Sequence, residues 1–125
     1  MAVCSVSVDE DTIASGARDG LVRTWSLATG AQTRRLRGHM AEVTSVRLLG
    51  TMLVSGSADR TIRIWSLAGD GLCTATLDPG GAVVGLAPSP LGFIASAVRA
   101  VDDRHANGGD DDGRLVIWRP ARVIG

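Results

Sequence analysis

Short apolar runs broken by acidic and glycine-bearing turns run along this chain from its first residues. Val3, Val8, Ile13, Ala14, Leu21, Val22 and Trp25 fall in such runs, interrupted by Asp9-Glu10-Asp11 and by Arg18-Asp19-Gly20. Runs of four to six residues rich in valine and isoleucine and bounded by Asp and Gly are strand signals, and no stretch sustains the helical period. Further on, the same pattern predicts strands over 43–48, 52–56, 62–66 and 73–77, with tight turns at Leu49-Gly50-Thr51, Ala58-Asp59-Arg60 and Gly69-Asp70-Gly71. Strands joined this closely form an antiparallel meander. Ile62, Ile64 and Ser66 then share one face and Arg63 and Trp65 the other. An indole and an arginine can share a face that is buried at one end and wet at the other, as where two sheets stack.

The pattern repeats. Ser15-Gly16-Ala17-Arg18-Asp19-Gly20-Leu21-Val22-Arg23-Thr24-Trp25-Ser26 returns about forty residues later as Ser55-Gly56-Ser57-Ala58-Asp59-Arg60-Thr61-Ile62-Arg63-Ile64-Trp65-Ser66, and its end returns as Asp112-Gly113-Arg114-Leu115-Val116-Ile117-Trp118. A period of this length marks stacked modules that cannot bury their apolar faces alone. Three units are expected, over about 3–37, 43–77 and 83–119. In the third, Ser96 and Asp112 are sixteen residues apart where Ser15 and Asp19 are four apart, so a polar loop insert is expected over about 99–111. Pro120 opposes a fourth strand in that unit.

Composition narrows the functional classes. Thirteen arginines balance thirteen acids, so no net field draws the chain toward nucleic acid or an anionic membrane. The clustered Arg34, Arg35 and Arg37 fall in an outer strand, where charge guards against edge pairing; one phenylalanine and no tyrosine leave no platform for stacking bases. No nucleic-acid or membrane partner is expected. Cys4 and Cys73 do not form a secreted disulfide framework, no apolar run reaches the length of a membrane span, and the first residues lack the form of a signal peptide. The expected location is intracellular, cytoplasmic or nuclear.

Gly38-His39, followed by Ser55, Asp59 and Trp65 at these spacings, resembles the WD-repeat family, whose forty-residue units form the four-stranded blades of β-propellers. The resemblance implies an all-β fold, a partial β-propeller of four-stranded antiparallel blades. It also implies a structural hydrogen-bonded set in each unit: His39, Ser55, Asp59 and Trp65 in the second, Ser15, Asp19 and Trp25 in the first, and Ser96, Asp112 and Trp118 in the third. Buried indole, hydroxyl and imidazole groups each need a partner, and a chain of hydrogen bonds satisfies them together. The pattern departs from the family at Ser26, Ser66 and Arg119, which follow the tryptophans in place of Asp, and at Asp78-Pro79, which replaces Gly-His in the third unit.

Family propellers act mostly as platforms on which partners dock at the loops between fourth and first strands and between second and third strands. Carried onto this chain, the partner-binding positions are Arg18, Met40, Glu42, Ala58, Gly80 and Ala82. The resemblance thus implies a noncatalytic scaffold for a protein or peptide partner. The alternatives are a substrate-receptor or assembly subunit of a ubiquitin-ligase complex, and an incomplete part of a longer WD-repeat protein. Two open blade edges would allow self-association. No catalytic residue, cofactor or metal is expected: His39 is engaged structurally, His105 lies in the insert, no nucleophile elbow or zinc spacing occurs, and Asp102, Asp103, Asp110, Asp111 and Asp112 do not follow a calcium-loop spacing.

Overall fold

The computed structural model describes residues 2–68, 73–88, 94–99 and 113–118. Among them there is no helix, and so none long and apolar enough to cross a membrane. The first sheet is the meander β1 (Val3–Asp9), β2 (Thr12–Ala17), β3 (Val22–Ser26) and β4 (Gln32–Leu36). The second repeats it with β5 (Val43–Leu49), β6 (Met52–Ser57), β7 (Ile62–Ser66) and β8 (Cys73–Leu77). The third holds β9 (Ala82–Pro88), β10 (Ile94–Arg99) and β11 (Gly113–Trp118), in the order β11-β10-β9. All pairings are antiparallel. Arg99, at the start of the expected insert, ends β10; the rest of that stretch and Asp112 lie outside the described residues.

Register makes the three sheets superimposable by position. Val6, Val46 and Leu86 pair with Ser15, Ser55 and Ser96, and Ile13, Leu53 and Ile94 pair with Trp25, Trp65 and Trp118. Each sheet therefore has two dissimilar apolar faces. One face of the first sheet gives Ala14, Val22 and Leu36 to a buried cluster completed by Val43, Val46, Leu53 and Trp65 of the second. The second sheet's other face gives Val54 and Ile62 to a cluster with Val83, Leu86 and Ile94 of the third. The hydrophobic core thus lies between sheets, and each sheet depends on its neighbours for burial.

Two glycines set how close the sheets come. A Cβ on Gly16 would meet Val43 Cγ1 at 2.5 Å, and one on Gly56 would meet Val83 Cγ1 at 2.4 Å. In both interfaces a valine of the incoming first strand fills the space that a missing side chain leaves. Neighbouring strands are also tied by polar contacts. Ser5 Oγ accepts from Val46 N–H at 3.2 Å and Ser7 Oγ from Leu48 N–H at 3.0 Å. Between the second and third sheets, the Thr44 hydroxyl donates to the Val83 carbonyl and Arg47 Nε to the Leu86 carbonyl at 3.1 Å.

Gly56→Ala is expected to destabilise the chain by about 1–3 kcal/mol, because valine is stiff and the sheets must separate to admit a methyl group. Chemical denaturation followed by tryptophan fluorescence measures this. Adding Val83→Ala should make the cost of the pair less than the sum of the two single costs.

Candidate functional site

The second sheet carries one continuous hydrogen-bonded chain. Ser55, fully buried in β6, places its Oγ 2.8 Å from Trp65 Nε1 on β7 and 2.7 Å from His39 Nε2 in the loop before β5. His39 Nδ1 lies 3.1 Å from Asp59 Oδ2 in the β6–β7 turn. Donor and acceptor roles follow from the ends. The indole N–H can only donate, so the Ser55 hydroxyl accepts it and donates its own proton to Nε2, and Nδ1–H donates to the carboxylate. The rings of His39 and Trp65 meet edge to face, with centroids 6.4 Å apart.

Asp59 is the hub of the turn. One oxygen accepts the Thr61 N–H at 2.9 Å and the Thr61 hydroxyl, and the other accepts the Met40 N–H at 2.8 Å beside the imidazole. Ser57, fully buried, accepts the Asp59 N–H at 3.0 Å and donates to the Glu42 carbonyl at 2.8 Å. This geometry outweighs the strain of Arg60, which holds a left-handed φ of 75° where the first sheet has Gly20. Burial pushes the Asp59 carboxyl up, but the hydrogen bonds from Thr61, Met40 and His39 together hold it below its ordinary value. His39 is lowered, chiefly because burial disfavours the imidazolium; Asp59 opposes that shift and the Arg63 charge adds to it. The ring is neutral near pH 7, and a neutral imidazole held at both nitrogens is a structural link with no free base.

The first and third sheets vary the scheme. In the first, Trp25 Nε1 donates to Ser15 Oγ at 3.0 Å, and Asp19 accepts the Leu21 N–H at 3.1 Å. Its second oxygen takes Arg23 Nη2 at 2.8 Å, the role that the imidazole plays in the second sheet. The hydrogen bond from Arg23 is the main reason the Asp19 carboxyl lies below its ordinary value. In the third sheet the Ser96 hydroxyl donates to the Val116 carbonyl at 3.3 Å, and the buried Trp118 Nε1 has no partner among the described residues. The link from Ser96 to Trp118 that the resemblance implies is thus not made there, and the serine hydroxyl turns to the backbone of β11 instead. Asp112 lies outside the described residues.

The positions expected from the resemblance to meet a partner gather at the end of the sheets where these turns lie. Arg18 follows β2, Ala58 follows β6, and Met40 and Glu42 lie in the loop that carries His39. Arg18 Nε lies 3.9 Å from Glu42 Oε2, joining the first sheet's turn to the second sheet's entry loop, and Ala58 N–H donates to the Glu42 carbonyl at 3.0 Å. Met40 is 88% exposed. Gly80 and Ala82 occupy the corresponding places before and at the start of β9; Gly80 N–H donates to Asp78 Oδ1 at 2.9 Å. Sequence reasoning missed Thr61, Ser57 and Arg23. A hydroxyl two residues either side of the turn aspartate is the available signal for the first two, and it distinguishes Ser57 and Thr61 from Ala17 and Leu21. Among the described residues, no group of three His, Cys, Asp or Glu side chains is placed to hold a metal ion.

Repeated antiparallel sheets stacked through alternating faces, with an aspartate pinning the turn in the first and in the second, define a propeller-type repeat protein. The chain belongs to the WD-repeat family: the family described as "WD domain, G-beta repeat" matches residues 1–26 and 30–66. Such repeats generally mediate protein–protein interaction. The chain is 41% identical over 50 residues to Mitochondrial division protein 1 of Candida glabrata, covering 40% of this chain. It is 43% identical over 43 residues to the CCR4-associated factor 4 homolog of Vanderwaltozyma polyspora, covering 34% of this chain. It spans 7% and 6% of the lengths of these relatives. Among solved structures it shares the fold of the computationally designed Ika4 protein, with TM-score 0.73 and 23% identity over 96% of this chain and 92% of that one. The computationally designed Ika8 protein matches with TM-score 0.67 and 28% identity over 78% of this chain and 30% of that one.

Ser55→Ala is expected to cost about 1–3 kcal/mol, since it strands the buried Trp65 N–H and His39 Nε2 together. Ser15→Ala should cost under about 1 kcal/mol, because water can reach the half-exposed Trp25. Denaturation midpoints of the two variants decide the order.

Stability should also fall with acid in two windows. The unfolded chain takes up a proton at His39 near the ordinary value of 6.5 while the folded ring resists it, so stability is lost as pH drops below 6.5. Asp59 adds a second loss below 3.8, where the unfolded carboxyl protonates first. His39→Gln should remove the upper window and leave the lower, as read from denaturation midpoints between pH 8 and about 2.5.

Proposed function

We propose that the chain is a noncatalytic interaction module that presents the rim formed by Arg18, Met40, Glu42 and Ala58, continued by Gly80 and Ala82, to a protein or peptide partner. The observation that carries this reading is the Arg18–Glu42 pair bridging two sheets beside an exposed Met40. An exposed ion pair contributes at most about 1 kcal/mol to folding, so both charges are available to a ligand at small cost. Met40 is a large apolar side chain left in water on a backbone that Asp59 fixes through the Met40 N–H. A backbone held ready in this way loses little further entropy on binding, which leaves only the side chain itself to be ordered. Acidic or basic groups on a partner would pair with Arg18 or Glu42, and an apolar side chain would cover Met40. No feature among the described residues points to a ubiquitin-ligase complex in particular, and the partner class is proposed as protein or peptide.

Selection of peptides from a random displayed library on the full chain, followed by titration, tests the rim. Arg18→Ala, Glu42→Ala and Met40→Ala should each weaken the selected peptides by roughly tenfold, the scale of about 1 kcal/mol or more seen at binding hot spots. Gln32→Ala, on the exposed outer strand, should leave binding unchanged. Peptides that bind all four variants equally would place the interaction elsewhere.

A further inference from the structure

Arg23 and Arg63 hold the same register position, opposite Ser15 and Ser55, and each follows a turn aspartate, Asp19 or Asp59, by four residues. Their surroundings differ. Arg23 reaches back to its aspartate, with Nη2 2.8 Å from Asp19 Oδ2. Arg63 pairs with no carboxylate among the described residues: its Nη1 donates to Cys73 Sγ, a weak acceptor, at 3.5 Å, and its Nε is buried without a partner. A buried N–H left unpaired destabilises a fold, so a guanidinium kept in this state calls for a physical reason. The reason is that another group stands in its place. His39 Nδ1 lies 3.1 Å from Asp59 Oδ2, the oxygen equivalent to the one that Arg23 takes on Asp19. Gly38, one residue earlier, lies directly on the guanidinium: a Cβ there would stand 2.9 Å from Arg63 Nη1 and 3.0 Å from Cζ. The loop that delivers the imidazole therefore also keeps Arg63 turned toward β8, and the Arg63 charge acts on the His39 ring from close by.

We infer that Arg63 is the alternate partner of Asp59: when the Gly38–His39–Met40 loop lifts, the guanidinium swings from Cys73 onto the carboxylate and the β6–β7 turn keeps its form. The first sheet shows that an arginine at this register, four residues after the aspartate, spans the distance. That reach is local geometry and does not depend on what chain precedes the first sheet. In the lifted state Asp59 exchanges the His39 and Met40 donors for guanidinium N–H groups, and Arg63 gains the carboxylate it lacks. The Thr61 N–H and hydroxyl stay on the other oxygen, and Ser55 keeps the Trp65 indole, as Ser15 keeps that of Trp25. No charge is left buried and alone, so the loop opens as a local event without the sheet. The rim then has two forms. In the minor one Met40 and Glu42 move off with the loop, while Ala58 stays with the turn. This device is independent of which partner the rim takes.

Native-state hydrogen exchange of the full chain, read residue by residue by NMR, tests the exchange of partners. Arg63→Met keeps the apolar stem and removes the charge. It should speed exchange of the Thr61 N–H at least fivefold, because the turn now opens together with the loop, while the Val54 N–H in the core of β6 changes less than twofold. A Thr61 rate that is unchanged or slower, or one that rises only in step with Val54, would overturn the proposal. Double-mutant cycles give a second reading from denaturation. Arg63→Met and Asp59→Asn should multiply in their effect on the unfolding constant of the unaltered chain to within twofold, since the two side chains do not meet there. In a His39→Ala chain the same pair should depart from multiplication at least fivefold. Equal coupling with and without His39 would count against the swing, and should His39→Ala fail to fold, the exchange rates of Arg63→Met decide alone.

Discussion

The fold depends on the seating of a valine from one sheet into the gap left by a glycine in the sheet before it. Val43 meets Gly16 and Val83 meets Gly56 with the same spacing, and around each contact the apolar side chains of two sheets close into a buried cluster. A four-stranded meander of this size has no interior of its own, so its stability comes from area covered by the next sheet. The polar links from Ser5, Ser7, Thr44 and Arg47 fix the lateral register of that contact, while the apolar clusters supply most of its free energy.

The hydrogen-bonded turns serve a second purpose. They hold one end of the stack rigid, and the end they hold is where Arg18, Met40, Glu42 and Ala58 lie. His39 and Asp59 are spent on this role: a neutral imidazole bonded at both nitrogens and a carboxylate with four donors around it have no capacity left for chemistry. A scaffold for partner binding is the use such an arrangement fits.

The periodic features were the legible ones. Alternating valines and isoleucines placed the strands of the second sheet to within a residue, and the recurring Ser, Asp and Trp showed which positions are equivalent. Less legible was how each equivalent position is satisfied, since that depends on neighbours distant in sequence. Ser15, Ser55 and Ser96 hold the same register, yet the first accepts one indole proton, the second also meets an imidazole, and the third bonds a carbonyl on β11. Ser57 and Thr61 owe their roles to partners that only the folded turn brings near, the Glu42 carbonyl and the Asp59 carboxylate.

The substitution of Arg23 for an imidazole at Asp19 makes two turns of one shape answer to different solution conditions. The Arg23–Asp19 pair is only partly exposed but joins two full charges, so dissolved ions weaken it to a limited degree. The His39–Asp59 link is buried and its donor is uncharged, so added electrolyte leaves it nearly untouched. Added electrolyte would therefore soften the first sheet's turn before the second's, although the Leu21 N–H keeps its hold on Asp19.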